Sequence, residues 1–143
     1  MRFSGKVFKG KKFWLTEVPT FDAMTQGRTR KDALRMIGDW FETAVNQSGF
    51  KVTVYPGPKG TFEIEGSDSR AMIALALQRL RHSSGLSLAD VAKRLGATSR
   101  NTYARYERGR AMPSVEKFDE LVRAVSPERI VVFSVTGEER TGC

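Results

Sequence analysis

The sequence predicts an α+β protein in which a β-sheet with one helix is followed by an all-helical unit and then a strand. Residues 1–66 alternate apolar and polar side chains in short aromatic or β-branched runs that Gly and Pro interrupt. Residues 69–125 instead repeat apolar side chains every three or four positions, which is the period of an α-helix. The uncharged residues 130–135 then have the composition of a strand.

The first part of the chain contains five predicted strands and one predicted helix. The strands are expected over residues 3–8, 13–18, 23–26, 51–55 and 61–65, with a hairpin turn at 56–60. Thr29 and Asp32 have the spacing of a capping box at a helix start. Ala33, Ile37 and Phe41 follow at helical spacing, and Gly49 is expected to end that helix.

The small, polar residues 66–69 mark the expected boundary between two units. They lie where the apolar pattern changes from the period of a strand to that of a helix. The predicted organisation is therefore a unit at 1–66, a helical unit with its following strand at 67–135, and a tail at 136–143.

The net charge of the chain indicates a polyanionic partner. The 143 residues include 24 basic and 16 acidic side chains, which gives a net charge of +8. Five arginines fall between residues 94 and 110, where Glu107 is the single acid. Neutralised phosphates release condensed counterions, so a focused patch of this kind favours nucleic acid. A solvated helix face, the competing interpretation, would usually interleave acids with the bases.

The cytoplasm is the expected compartment. The single cysteine, Cys143, allows no internal disulfide. No apolar run approaches the roughly 20 residues of a membrane-spanning helix, and the first residues lack the layout of a signal peptide.

Residues 86–114 have the pattern of a helix-turn-helix. Ser87 and Asp90 form a second predicted capping box, and Ala92 is small enough for two helices to cross closely. Gly96 permits the turn, and a further helix is expected after Ser99, with Tyr103 facing the core. Ser114 is the predicted cap of the helix that follows.

The outer face of the helix after Ser99 is predicted to read DNA. It is expected to present Arg100, Asn101, Ala104 and Arg105. Arginine can bond bidentately to guanine and asparagine to adenine. Phosphate contacts are assigned to Arg94, Arg108 and Arg110. The complete set of predicted DNA-binding residues is Thr98, Ser99, Arg100, Asn101, Arg105, Arg94, Arg108 and Arg110.

Residues 86–96 and 106–114 resemble the lambda-repressor-like (Xre) helix-turn-helix family. The resemblance implies that Glu107 braces the domain and does not read bases. The sequence departs from the family at Leu88, where a phosphate-contacting Gln is common, and at the turn 97–99, which is one residue longer.

The longer turn and residues 99–107 resemble the helix-turn-helix branch of the HicB antitoxins. Residues 13–18 and 24–34 resemble the HicB N-terminal domain, a degraded RNase H-like sheet with a helix. This implies a type II antitoxin whose first domain neutralises a small, mRNA-cleaving HicA-like toxin, while the helix-turn-helix represses the shared operon. Residues 1–66 carry 11 basic and 7 acidic residues, whereas a mask for a basic toxin is often acidic. A stand-alone HicB-like regulator without a toxin is therefore the alternative. A third interpretation is a general transcription factor whose first domain senses a small ligand, although the sequence contains no pocket signature.

The sequence argues against an enzyme, and no catalytic residue, metal site or cofactor is predicted. A nuclease with an RNase H-like fold would need several converging carboxylates, and the acids of residues 1–66 do not cluster. His82 is the one histidine, and it stands without a nucleophile or an orienting acid in the sequence around it.

The strand predicted over residues 130–135 has two possible pairing partners. These are the sheet of the first unit and the same strand of a second copy. The dimer is preferred because proteins that read operators act as two-fold pairs on double-stranded DNA. We therefore expect a homodimer or a higher even oligomer, with no membrane partner.

Overall fold

The computed structural model describes residues 1–96 and 100–137. The strands are β1 Phe3–Lys9, β2 Trp14–Val18, β3 Ala23–Gly27, β4 Val52–Pro56 and β5 Thr61–Gly66. The α-helices are α1 Arg30–Val45, α2 Ser69–Ser83, α3 Leu88–Arg94, α4 Arg100–Glu107 and α5 Val115–Val125, and a single 3-10 turn spans Pro19–Phe21. The predicted α+β order of a sheet followed by helices is confirmed, while its RNase H-like character stays a prediction.

The five strands form one antiparallel sheet in the order β3-β2-β1-β5-β4. The strand nearest the N-terminus is therefore central, and β3 and β4 are the edges. Alternate side chains such as Val7, Phe62 and Ile64 point to the face that α1 covers, and all three are buried. The opposite face of the sheet is open to solvent.

The start of α1 depends on two short-range contacts. The Thr29 Oγ1 accepts a hydrogen bond from the Asp32 N–H at 3.0 Å, as the predicted cap requires. The Asp32 carboxylate accepts a hydrogen bond from the Arg28 N–H at 3.3 Å. The donor is therefore one residue before Thr29, whose own N–H a capping box would use. Gly27 allows this approach, because a Cβ there would lie 2.4 Å from the Ala33 nitrogen. The helix ends at Val45, four residues before Gly49.

The helix α2 belongs to both hydrophobic cores of the molecule. Its side chains Met72, Leu75 and Ala76 pack into the core between the sheet and α1. Its side chains Ile73, Leu77 and Leu80 pack into the core of α3, α4 and α5. A chain that ended at residue 66 would lose the first of these sets. The division of the chain into separate units stays a prediction.

The predicted hinge is held by hydrogen bonds. The Asp68 Oδ1 accepts from the N–H groups of Arg70 at 3.0 Å and Ala71 at 3.2 Å, and so caps α2. These contacts hold the pKa of Asp68 below its usual value, the largest cause being the Ala71 N–H. The Gln47 Nε2 also donates to the Asp68 carboxylate, at 3.3 Å. This segment therefore connects β5 to α2 in one defined conformation.

The connection after β2 is tied to the helical part by side chains from two places. The Arg79 Nε on α2 donates to the Phe21 carbonyl at 3.0 Å, and the Ser83 hydroxyl donates to the Asp22 carboxylate at 2.6 Å. From beyond α5, the Arg129 guanidinium donates to the Pro19 carbonyl at 2.9 Å. The 3-10 turn is thus anchored to both ends of the helical unit.

The strand predicted over residues 130–135 is not formed within the chain. This segment is neither helix nor strand, and it does not join an edge of the sheet. Val131 packs on the helical core, whereas Ile130, Val132 and Phe133 are 80%, 79% and 62% exposed. Strand composition yields a strand only where another strand supplies ladder hydrogen bonds, and none lies beside the end of α5 in the described chain.

Candidate nucleic-acid interface

The helix α3 is capped as predicted and packs through one face. The Ser87 Oγ accepts from the Asp90 N–H at 3.1 Å, and the Asp90 carboxylate accepts from the Ser87 N–H at 2.9 Å. The second of these bonds is the main reason that the pKa of Asp90 is lowered. Val91 and Ala92 are buried against α4, and Leu88 also packs on the helical core. Leu88 therefore has an apolar packing role at the family's phosphate-contact position.

The turn between α3 and α4 begins at Gly96, whose φ of +72° is a left-handed conformation that favours glycine. Residues 97–99 lie outside the described residues, so the predicted contacts of Thr98 and Ser99 lie there too. The next helix starts at Arg100, as expected from the sequence, and Arg100 is exposed.

The helix α4 has a buried face and an exposed polar face. Tyr103 is 0% exposed, as predicted, but Ala104 is 1% exposed, so its predicted place on the outer face is wrong. Ala104 instead supplies the small side chain that lets α4 lie close to its neighbours. The exposed residues of α4 are Arg100, Asn101, Thr102 and Arg105. Thr102 was missed, although it directly follows Asn101 in the sequence.

Asn101, Arg105 and Arg108 form a stripe along the exposed side of α4, which we call the recognition stripe. Their spacing of i, i+4 and i+7 places them above one another on a helix. The helical pattern reaches Arg108, because its N–H donates to the Ala104 carbonyl at 3.0 Å. All three residues are exposed, and the stripe offers one amide and two guanidinium groups to a groove.

The end of α4 is closed by a Schellman motif around Gly109. Its φ is +69°, and the Arg110 N–H donates to the Arg105 carbonyl at 3.0 Å. The chain therefore turns away immediately after Arg108, and Arg110 is exposed beside the end of the helix. The next helix, α5, starts at the predicted Ser114 cap, whose Oγ accepts from the Lys117 N–H at 3.1 Å.

A buried ion pair joins α4 to α2. The Arg81 Nε lies 2.8 Å from the Glu107 Oε2, and the Arg81 Nη2 lies 3.0 Å from the Oε1. The two side chains are 13% and 6% exposed. The Arg81 Nη1 also donates to the Leu86 carbonyl at 2.9 Å, so the guanidinium holds the chain on both sides of the turn after α2. This geometry agrees with the bracing role that the resemblance implies for Glu107.

Tyr103 lies beneath this pair. Its hydroxyl is the one buried side-chain polar atom without a hydrogen-bond partner in the described part of the chain. Burial raises the pKa of the Tyr103 phenol, and the negative charge of Glu107 raises it further. The phenol is therefore uncharged over the whole physiological range, and Tyr103 acts as an apolar support for α4.

Arg94 has a contact inside the domain. Its Nη1 donates to the Ala124 carbonyl at 3.0 Å, which ties the end of α3 to the last turn of α5. The guanidinium is nevertheless exposed. The phosphate contacts predicted for Arg94, Arg108 and Arg110 stay predictions.

A family model described as a helix-turn-helix domain matches residues 73–126. The match covers most of α2 and all of α3, α4 and α5, which are the elements of the second core. Residues 73–126 form a helix-turn-helix DNA-binding domain. Such a domain is consistent with a transcriptional regulator. Comparison with curated proteins found no match to the chain.

Within residues 1–96 and 100–137, no helix is both long enough and apolar enough to cross a membrane. In the same ranges, no three His, Cys, Asp or Glu side chains are grouped as metal ligands would be. The expectation that the chain is not an enzyme stays a prediction.

Substituting Glu107 with Gln should destabilise the helix-turn-helix domain, because the Arg81 charge would remain buried without its counter-charge. We expect the free energy of unfolding to fall by about 3 kcal/mol in urea titrations. The matched control is Asp119→Asn in the exposed pair with Arg123, which should cost less than about 1 kcal/mol. Equal losses from the two substitutions would show that the buried pair is not the brace of the domain.

Proposed function

We propose that the protein is a sequence-specific transcriptional repressor that reads its operator through the recognition stripe of α4. The observation that carries this proposal is the placement of Asn101, Arg105 and Arg108 on one exposed side of a helix whose other side is buried. An amide suits adenine and a guanidinium suits guanine in the major groove. Asn101 and Arg105 are the candidates for base contact within the stripe, together with Arg100 at the start of α4. Arg108 at the end of the stripe is a candidate for phosphate contact, as are Arg94 and Arg110.

Asn101→Ala and Arg108→Gln should affect DNA binding in different ways. Asn101→Ala should cost about 1–3 kcal/mol on a site selected from random duplexes, with little loss on unselected DNA. Arg108→Gln should weaken binding to both and reduce the salt slope by about one. Fluorescence anisotropy from 50 to about 200 mM salt measures both effects. Arg123→Gln, an exposed arginine on α5, is the matched control. An equal loss on selected and unselected DNA for Asn101→Ala would remove it from base reading.

We further propose that the first part of the chain binds a protein, as in the HicB-type antitoxins that it resembles. The open face of the sheet supports this proposal. Phe8 and Met24 are 40% and 57% exposed there, and Glu17, Glu63 and Glu65 share the same face. Arg2 pairs with Glu63 and the N-terminal amine pairs with Glu65, while Lys6 lies opposite Glu17. Exposed apolar side chains surrounded by charges of both signs suit a protein partner, and Glu17 beside Met24 suits a basic one such as a HicA-like mRNA-cleaving toxin.

A stand-alone regulator that senses a small ligand is the second candidate, and a cavity favours it. This cavity of about 480 Å³ lies where the start of β1 meets α2, α5 and the segment after α5. Phe3, Ile73, Phe118, Val122 and Val131 contribute apolar walls. Cavities that bind small molecules commonly have such a size and lining.

A charge reversal on the open face should separate these candidates. In cells that express the product of the adjacent gene, full-length protein with Glu17→Arg and Met24→Arg should lose protection and co-purification, because the new cations would repel a basic partner. Operator binding should be unchanged. Thr43→Arg, an exposed position on α1, is the control for added charge. Unimpaired protection by the double variant would contradict the proposed docking face, and the lack of any toxic neighbouring product would favour the stand-alone regulator.

We also propose that the chain acts as a dimer through residues 130–135, since their backbone has no ladder partner among residues 1–96 and 100–137. A two-fold pair would place two α4 helices on half-sites about 34–36 Å apart. Val132→Pro should remove a ladder donor and give a monomer with weak operator binding, whereas Val132→Thr should remain dimeric. Val132 is 79% exposed, so the fold of the single chain should tolerate both changes. Sedimentation velocity measures the outcome, and a dimeric proline variant with normal operator affinity would exclude this interface.

A further inference from the structure

The end of the sheet farthest from the helix-turn-helix domain concentrates positive charge. Three connections meet there: the turn from β1 to β2, the link from β3 to α1, and the turn from β4 to β5. The pairing of Lys9 with Trp14, and of Trp14 with Gly27, brings the first two together. The Val7 N–H donates to the Gly60 carbonyl at 2.8 Å, which holds the third beside them.

Seven basic residues lie in these connections or at the strand and helix ends beside them, and we call the surface that these seven form the basic end. Its members are Lys9, Lys11, Lys12, Arg28, Arg30, Lys31 and Lys59. None of the seven side chains forms an ion pair within the described part of the chain. The nearest acid in sequence, Asp32, is already paired with Arg35 at 2.7 Å. The N-terminus of the 16-residue α1 adds its positive dipole end to the same surface.

The charge of residues 1–66 is therefore divided between two surfaces. Outside the basic end, these residues hold four basic and seven acidic side chains. The overall positive charge of the first part of the chain comes entirely from one end of the sheet. Lys59, in the turn from β4 to β5, has a φ of +53°, a conformation that glycine or asparagine adopts more readily than lysine.

We propose that the basic end is a second, sequence-independent binding site for the phosphate backbone of duplex DNA. Five of the seven residues are lysines, and three of these, Lys11, Lys12 and Lys59, lie in the turns between strands. Lysine ammonium groups suit phosphates as mobile point charges. The inference rests on DNA binding by the helix-turn-helix domain, which keeps duplex at high local concentration. It does not depend on a toxin partner.

The two DNA-binding surfaces lie apart. The strands β1, β3 and β4 run toward the basic end, whereas α2 and the helix-turn-helix leave from the opposite end of β5. The seven residues of β1 alone correspond to about 23 Å. A chain seated on its operator would therefore hold a second DNA segment, either a neighbouring stretch of the same molecule or another duplex.

The test uses the full chain and a random 30-base-pair duplex, with anisotropy measured from 50 to about 200 mM salt. K11Q/K12Q/K59Q removes charge from the basic end, and K6Q/K51Q/K117Q removes the same charge elsewhere. R105Q/R108Q disables the recognition stripe, and a fifth protein combines it with K11Q/K12Q/K59Q. Thermal unfolding confirms that each variant is folded.

We expect K11Q/K12Q/K59Q to reduce the salt slope by about two to three, and K6Q/K51Q/K117Q to reduce it by less than one. R105Q/R108Q should retain measurable, salt-dependent binding, and the combined variant should lose at least about tenfold more. Equal effects of the two lysine variants would overturn the proposal, as would complete loss of binding in R105Q/R108Q.

Two further arms test the kind of polyanion. Tighter binding of R105Q/R108Q to phosphatidylserine vesicles, or to single-stranded RNA of equal length, than to the duplex would overturn the assignment to DNA. If R105Q/R108Q binds a selected operator as the native chain does while K11Q/K12Q/K59Q does not, the recognition stripe fails and the basic end stands.

Discussion

The contact between Arg81 and Glu107 sets the position of the DNA-reading surface. Burying either charge alone is unfavourable. The pair is therefore stable only in the narrow geometry in which two guanidinium nitrogens meet the two carboxylate oxygens. This geometry attaches the last turn of α4 to the last turns of α2. An eight-residue helix such as α4 would not persist in water by itself. The orientation of Asn101, Arg105 and Arg108 therefore depends on a contact that touches no DNA.

Features governed by near neighbours were predicted well from the sequence. The caps at Thr29, Ser87 and Ser114 follow from residues three positions apart, and all three side chains accept the expected hydrogen bonds. Features that depend on residues distant in the chain could not be predicted from the sequence. The contact of Arg79 with the Phe21 carbonyl joins residues 58 positions apart and leaves no sequence pattern. Residues 130–135 do not form a strand within the single chain for a related reason, since composition does not reveal which strand would pair with them.

The exposed and buried faces of α4 were predicted in outline, with an error at a single side chain. Ala104 was placed outward because a small residue fits either face of a helix, and the closeness of helix crossing decides between them. The basic end could not be recognised in the sequence at all. Each of its three connections contributes only one to three cations, and the antiparallel topology alone brings them together.

The sharing of α2 between two cores affects how the protein unfolds and is degraded. A protein made of separable domains can have one domain cleaved or unfolded while the other survives. Here an opening of either core withdraws buried side chains such as Met72 or Leu77 from a helix that the other core also needs. Unfolding should consequently be cooperative across the chain. Proteolytic cleavage would then remove the sheet and the helix-turn-helix domain in a single event, and the lifetime of both would follow that of α2.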